Sequence, residues 1–284
     1  MTDPKAWKRL KGNLLARIGL AGTLIVLVTG LFGPSVAPYT VNLRVALDGA
    51  LVPRQPPSFQ HPFGTDWHGL DVFSKVLHGA RISLMVGLGA SMSSVLIGLF
   101  VGLIAGYRGG WIDAMFMRAV DVMLAFPELL LAILIATLFE PGLLTVFLAL
   151  TAVSWASTAR LIRSLVLGLK DREYVVAARS LGATDARILS VHILPNILPS
   201  LVVILSMRVG VMILAEASLN FLGVGAGHEI PSWGVMVYQG KDYMSEAPWC
   251  AIFPATAIAF TVFSFSLVGD GLRDAFDPRI DFPS

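Results

Sequence analysis

Charge is what this sequence has least of. Only 14% of its 284 residues are Asp, Glu, Lys or Arg, against about 25% in an average soluble domain. Too few charges remain to cover a water-soluble fold of this length, and the hydrophobic effect would drive such a chain to aggregate or into a bilayer. Cysteine is nearly absent as well. Cys250 stands alone, which excludes an internal disulfide and a cysteine-rich metal site. No Gly-x-x-x-x-Gly-Lys-Ser/Thr segment occurs, so the chain cannot cradle nucleotide phosphates in that manner. Internal repeats and low-complexity tracts are missing too. No small-residue cleavage site clearly follows the first apolar run, which therefore reads as a retained span.

What is present is apolar, and it comes in blocks. Hydrophobic residues make up 55% of the chain. A spanning helix needs roughly 20 mostly apolar residues, and six blocks qualify: 14–32, 82–105, 114–139, 143–165, 197–222 and 249–268. They are too long and too uniformly apolar for barrel strands, so the fold class is an all-α integral membrane protein with six transmembrane helices. The chain then divides into an N-terminal segment 1–13, span 14–32, an outer loop 33–81, a core 82–270 that contains the loop 168–196, and a tail 271–284. The outer loop is proline-rich and reads as an irregular connection with a short helix over 72–77.

Basic residues set the orientation. With six spans, 15 Lys and Arg fall on one side, among them Lys5, Lys8, Arg9, Lys11, Arg17, Arg108, Lys170, Arg172, Arg179, Arg187, Arg273 and Arg279. Five fall on the other: Arg44, Arg54, Lys75, Arg81 and Lys241. The positive-inside rule puts both termini in the cytoplasm.

The loop between the fourth and fifth blocks carries a helical pattern. Tyr174, Ala177, Ala178 and Leu181 recur at i, i+3, i+4 and i+7 and share one helix face. Two alanines make that face narrow, which permits close approach to another protein. Gly182 ends the helix, Thr184 caps a second short helix over 185–192, and Leu194-Pro195 leads into block five. The result is an elbow joined to a spanning helix, able to transmit a push. Its alternative is an ordinary amphipathic loop on the membrane surface.

Ionisable residues inside membrane blocks are costly and face protein or water. Arg208 and Glu216 lie in block five, about 80° apart on the helix, and need not pair. Asp121 and Glu128 lie seven apart in block three and nearly share a face, and Arg118 is placed to pair with Asp121 within the helix. These residues either line a polar path that favours a cationic substrate or form structural ion pairs. His61, Asp66, His68, Asp71 and His78 cluster in the outer loop but match no closed set of metal ligands. For Asp66 and Asp71 the better reading is that they hold the loop by hydrogen bonds.

The spacing Ala177-Ala178, Gly182, Leu194-Pro195 resembles the coupling-loop signature of ABC importer permeases: Glu-Ala-Ala, three residues, Gly, nine residues, Ile, any residue, Leu-Pro. The chain departs from it at Val176 and His192, which leaves Glu173, one turn earlier, as a candidate for the missing acid. His61-Pro-Phe-Gly-Thr-Asp66, Gly79-Ala-Arg81, Leu124-Ala-Phe-Pro127, Ala215 to Gly223, Pro231-Ser-Trp-Gly234 and Gly269 to Pro278 are similar to segments of the dipeptide/oligopeptide/nickel branch. That branch commonly has Arg where Leu70 stands. The resemblance implies the second permease of such an importer, resident in the bacterial inner membrane. It implies a homologous permease, two ATPase subunits, an extracytoplasmic binding protein and membrane lipid as partners, with no nucleic acid. ATP and magnesium would sit on the ATPases, leaving no cofactor here. Glu173, Tyr174, Ala177, Ala178, Leu181, Gly182, Leu194 and Pro195 would form the ATPase-coupling loop. Peptides are the implied cargo, with nickel chelates or glutathione as alternatives. Rival classes are a membrane-embedded enzyme and a stand-alone secondary transporter.

Overall fold

The computed structural model describes residues 9–39, 41, 52–225, 227 and 230–276. Lys5, Lys8, Arg44 and Arg279, part of the orientation tally, lie outside these residues, as does most of the tail 271–284. The described residues build the bundle from α1 (Leu14–Val36), α2 (Val72–Arg108), α3 (Gly110–Leu124), α4 (Glu128–Thr137), α5 (Leu143–Leu169), α6 (Glu173–Ser180), α7 (Asp185–Phe221), α8 (Trp233–Gly240) and α9 (Trp249–Phe276). Among the described residues the only β-pairing is an isolated bridge between Thr65 and Asp71.

Two expectations change. The short helix expected over 72–77 is the start of the second span, which runs unbroken for 37 residues. Asp71 caps it by accepting from the Ser74 amide at 2.7 Å, a local hydrogen bond that fixes the start ten residues earlier than the apolar run implies. Block three is not one straight helix. α3 and α4 meet at a bend of 85°. Pro127 lacks an amide hydrogen and disfavours helical geometry at Phe126, so the chain turns there and restarts with Glu128 in the first turn of α4.

The broken pair still makes one crossing. Tyr107, at the end of α2, hydrogen-bonds Asp185, so α2 ends beside the elbow. α5 also ends there, at Leu169. Between α2 and the start of α5 the chain must therefore traverse the bundle, through α3 and α4. Five long apolar helices plus this pair give six crossings. Asn13 donates to Asp274 at 3.4 Å, which brings the start of α1 and the end of α9 together. Gly33, near the far end of α1, packs on Leu77 near the start of α2. So the start of α1, the end of α9 and the elbow share one side of the bundle.

Small residues let the helices approach closely, as membrane interfaces require. Gly98, Gly102 and Gly106 of α2 lie against Thr158, Ala159, Ile162 and Val166 of α5. A Cβ at Gly102 would stand 2.6 Å from the Ala159 carbonyl oxygen. The same tight contact buries Ala156, Ala159 and Ile162.

Candidate functional site: the elbow and the polar seam

The elbow is built by local rules. Val175 faces inward, fully buried with Ile188, Ile193 and Ile197. This contact turns Tyr174, Val176, Ala177 and Leu181 outward, and Leu181 is 89% exposed. α6 ends at Gly182, whose φ of 83° lies in the left-handed region. There the Gly182 amide donates to the Arg179 carbonyl and the Ala183 amide to the Ala178 carbonyl. That pair of bonds is the glycine-ended C-cap, and a side chain at position 182 would strain it. The Thr184 hydroxyl then accepts from the Arg187 amide at 3.4 Å and starts α7.

The second half of the elbow is not a separate helix. From Asp185 the chain runs into the fifth span without a break. Its first turns include a π-helical stretch, Ile188–Ile193, in which the Leu194 amide reaches the Leu189 carbonyl. Pro195 follows immediately. It has no amide to donate and would crowd a regular α-helical carbonyl, and the wider stretch accommodates it. Elbow and span therefore form one body.

Sequence reading missed a clasp at this joint. The Tyr107 hydroxyl donates to Asp185 at 2.8 Å, and Arg108 approaches the other carboxylate oxygen at 3.6 Å. Arg179 lies over the Tyr107 ring. Asp185 in the first turn of α7 also suits the positive end of the helix dipole. The elbow is thereby tied to α2 as well as to α7.

The ionisable residues of the spans divide into two groups. In the first, three carboxylates meet three guanidiniums. Arg163 is bidentate on Asp113, both contacts at 2.5 Å. Arg160 reaches Asp121 at 2.5 Å, so Asp121 pairs across to α5 and not with Arg118 of its own helix. Arg208 lies 3.6 Å from Glu128 and donates to Ser157, while Ser154 donates to Glu128 at 2.5 Å. The bend separates Asp121 and Glu128 onto different half-helices, so they do not share a face. Arg160, Arg163, Ser154 and Ser157 were visible in the sequence, but nothing local linked them to partners dozens of residues away.

Glu216 belongs to the second group. It is fully buried and accepts from Asn220 at 2.5 Å and from Ser83 at 3.3 Å. Asn220 also donates to Ser232, and Ser83 accepts from the Trp233 amide. Glu216 thus ties α2, α7 and the start of α8 together, with no contact to Arg208.

In the outer loop, Asp66 accepts from the amides of His68 and Leu70 and from Lys75 at 2.8 Å. Asp71 accepts from Ser74 and faces His61. These carboxylates hold the loop by hydrogen bonds. Leu70 is buried in it, and the cation beside Asp66 comes from Lys75.

Known proteins share this plan. A family described as the binding-protein-dependent transport system inner membrane component matches residues 98–282, and the N-terminal TM domain of oligopeptide transport permease C matches residues 5–57. A dipeptide transport system permease protein of Bacillus subtilis is 41% identical over 97% of this chain and 85% of its own length. A glutathione transport system permease protein of Escherichia coli O157:H7 is 42% identical over 96% of this chain and 89% of its own. The methionine ABC transporter solved in inward-facing conformations aligns with a TM-score of 0.58 at 21% identity, over 71% of this chain and 96% of that one.

Proposed function

The chain belongs to the binding-protein-dependent inner-membrane component family, and from that membership we propose that it forms half of the translocation pore of an ATP-driven peptide importer. Two ATPase subunits, holding ATP and magnesium, do the hydrolysis. A homologous permease completes the pore, and an extracytoplasmic binding protein delivers cargo to the outer loops. The side of the bundle with the elbow, the start of α1 and the end of α9 is cytoplasmic, in keeping with the excess of basic residues in the sequence segments on that side.

One observation carries the mechanism: α6, with its outward apolar face, is joined to a spanning helix by the turn at Gly182 and by Val175 packed on Ile188, Ile193 and Ile197. Tyr174, Ala177, Ala178 and Leu181 dock on an ATPase, with Glu173 at the rim. When the ATPases close, they displace α6, and the displacement passes through Leu194 and Pro195 into α7. The clasp at Asp185 passes it into α2. Two packed arrangements exchange as rigid bodies, and the pore switches the side to which it opens. The chain itself makes and breaks no covalent bond.

Peptide as cargo rests on the dipeptide, oligopeptide and glutathione relatives. Glutathione is itself a tripeptide, so one substrate chemistry covers all three. The test is reconstitution with both ATPases, the second permease and the binding protein in liposomes. Uptake of a dipeptide that needs both ATP and the binding protein is the expected result. Uptake driven by an ion gradient without ATP would contradict the proposal in favour of a secondary transporter.

A further inference from the structure

Asp121 and Arg160 are bonded to each other, yet their side chains are 52% and 51% exposed. Arg160 lies nine residues from the elbow-side end of α5, about 14 Å along the helix axis. A half-open ion pair at that depth cannot be packed against acyl chains without large cost. Beside it, the break between α3 and α4 leaves Ala125, Phe126 and Pro127 exposed. Irregular backbone at membrane depth is tolerated where it lines a water-filled cavity or is covered by protein. Covering an already satisfied ion pair with protein gains little, because desolvation offsets most of the attraction. Water carries no such penalty, and a solute bringing its own charges offsets it with new ion pairs.

The exposed pair itself points to the solute, because it offers one carboxylate and one guanidinium. Asp113, Asp121 and Glu128 face Arg160, Arg163 and Arg208, three carboxylates against three guanidiniums. Each pair is neutral, and the exposed one presents both signs side by side. It matches a molecule that carries one of each. We propose that Asp121 and Arg160 form a relay in the translocation path for zwitterionic peptides, Asp121 receiving the terminal ammonium and Arg160 the terminal carboxylate as the two let go of each other. Recognition at the termini ignores side chains, so one site serves many sequences. Arg163 and Arg208 are less exposed and hold the neighbouring acids in place. The proposal rests on the importer reading and deepens it.

The test uses the complete reconstituted complex with alanyl-alanine as probe. Dependence of wild-type uptake on ATP and the binding protein examines the importer reading on its own. The relay is examined by Asp121→Asn, Arg160→Gln and the double variant, with uptake expressed per assembled complex. The double variant leaves no uncompensated charge, so a purely structural pair would be repaired in it. The expected result is a loss of about tenfold in all three, the scale of one charged hydrogen bond. Recovery of uptake in the double variant, or no loss in the singles, overturns the relay. Ser157→Cys gives a second readout that removes no charge. Ser157 is partly exposed and bonded to Arg208, and the native Cys250 is buried. A water-soluble cationic methanethiosulfonate should modify the introduced thiol, and alanyl-alanine should slow the modification. A thiol that stays unmodified in the assembled complex would place the seam against the second permease and overturn the proposal.

Discussion

The elbow and the polar seam meet in α7 but are built by opposite means. The elbow is specified by neighbours in sequence: a buried valine, a glycine with positive φ, a threonine cap and a proline after a π-helical stretch, all within about one short helical hairpin. The seam is specified by none. Its three ion pairs join positions 39, 50 and 80 residues apart. They exist only in the packed bundle, where α3, α4 and α7 come against α5. A turn can be given a local structure, but a seam through the bundle requires several helices at once. The comparison predicts that elbow variants change coupling at little cost to the fold, and that seam variants outside the exposed pair do the reverse.

The largest effect separates them most sharply. Arg163→Met leaves Asp113 mostly buried without its bidentate partner. A loss of about 2–3 kcal/mol is expected, below the range for a fully buried pair, and seen as a lower melting midpoint of the purified chain. An unchanged midpoint would mean that the seam does not hold the bundle. Leu181→Asp comes next. The side chain is almost wholly exposed, so the melting midpoint should hold, since exposed substitutions stay within about 0.5 kcal/mol. Affinity for the ATPase should fall roughly tenfold, as when an interface anchor is lost. Titration of the detergent-solubilised permease pair with ATPase measures this, and equal affinity would remove α6 from the interface.

Smaller effects sharpen the picture inside the elbow. Asp185→Asn keeps an acceptor for Tyr107 and loses the charge that faces Arg108 and the start of α7. That exposed pair is worth about 1 kcal/mol or less, so uptake should drop by a few-fold at most. A loss as large as that of Leu181→Asp would make the clasp, not the apolar face, the main link. Glu173→Gln is the mildest, with about a twofold change in ATPase affinity expected for a rim charge. No change at all, measured at low salt, would leave the position of the missing signature acid without a substitute.

The same contrast explains what could be read from residues alone. Apolar runs announced the spans because the bilayer demands length and hydrophobicity directly. The elbow was legible because Ala177, Ala178, Gly182 and Pro195 act on their own neighbourhood. Phe126-Pro127 held the signal for the bend, but a long apolar run on both sides masked it. Asp71 and Ser74 held the signal for the early start of α2. Asp121 was assigned to Arg118, three residues away, because helical spacing is visible in a sequence. Its actual partner, Arg160, comes from a packing that a one-dimensional reading does not contain. Glu216 was recognised as unusual, while its partners Ser83 and Asn220 became visible only with α2 set against α7.

The central claim is that α6, Gly182 and α7 convert ATP hydrolysis into movement of the pore. Gly182→Val tests it most directly, because a β-branched residue resists the left-handed conformation at a cost of about 1–2 kcal/mol, confined to the elbow. The measurement is the ratio of peptide transported to ATP hydrolysed in the complete reconstituted complex. The account predicts that hydrolysis continues while uptake falls, lowering the ratio by about tenfold, the factor that about 1.4 kcal/mol represents. A ratio equal to that of the unaltered complex, whatever the absolute rates, would contradict it.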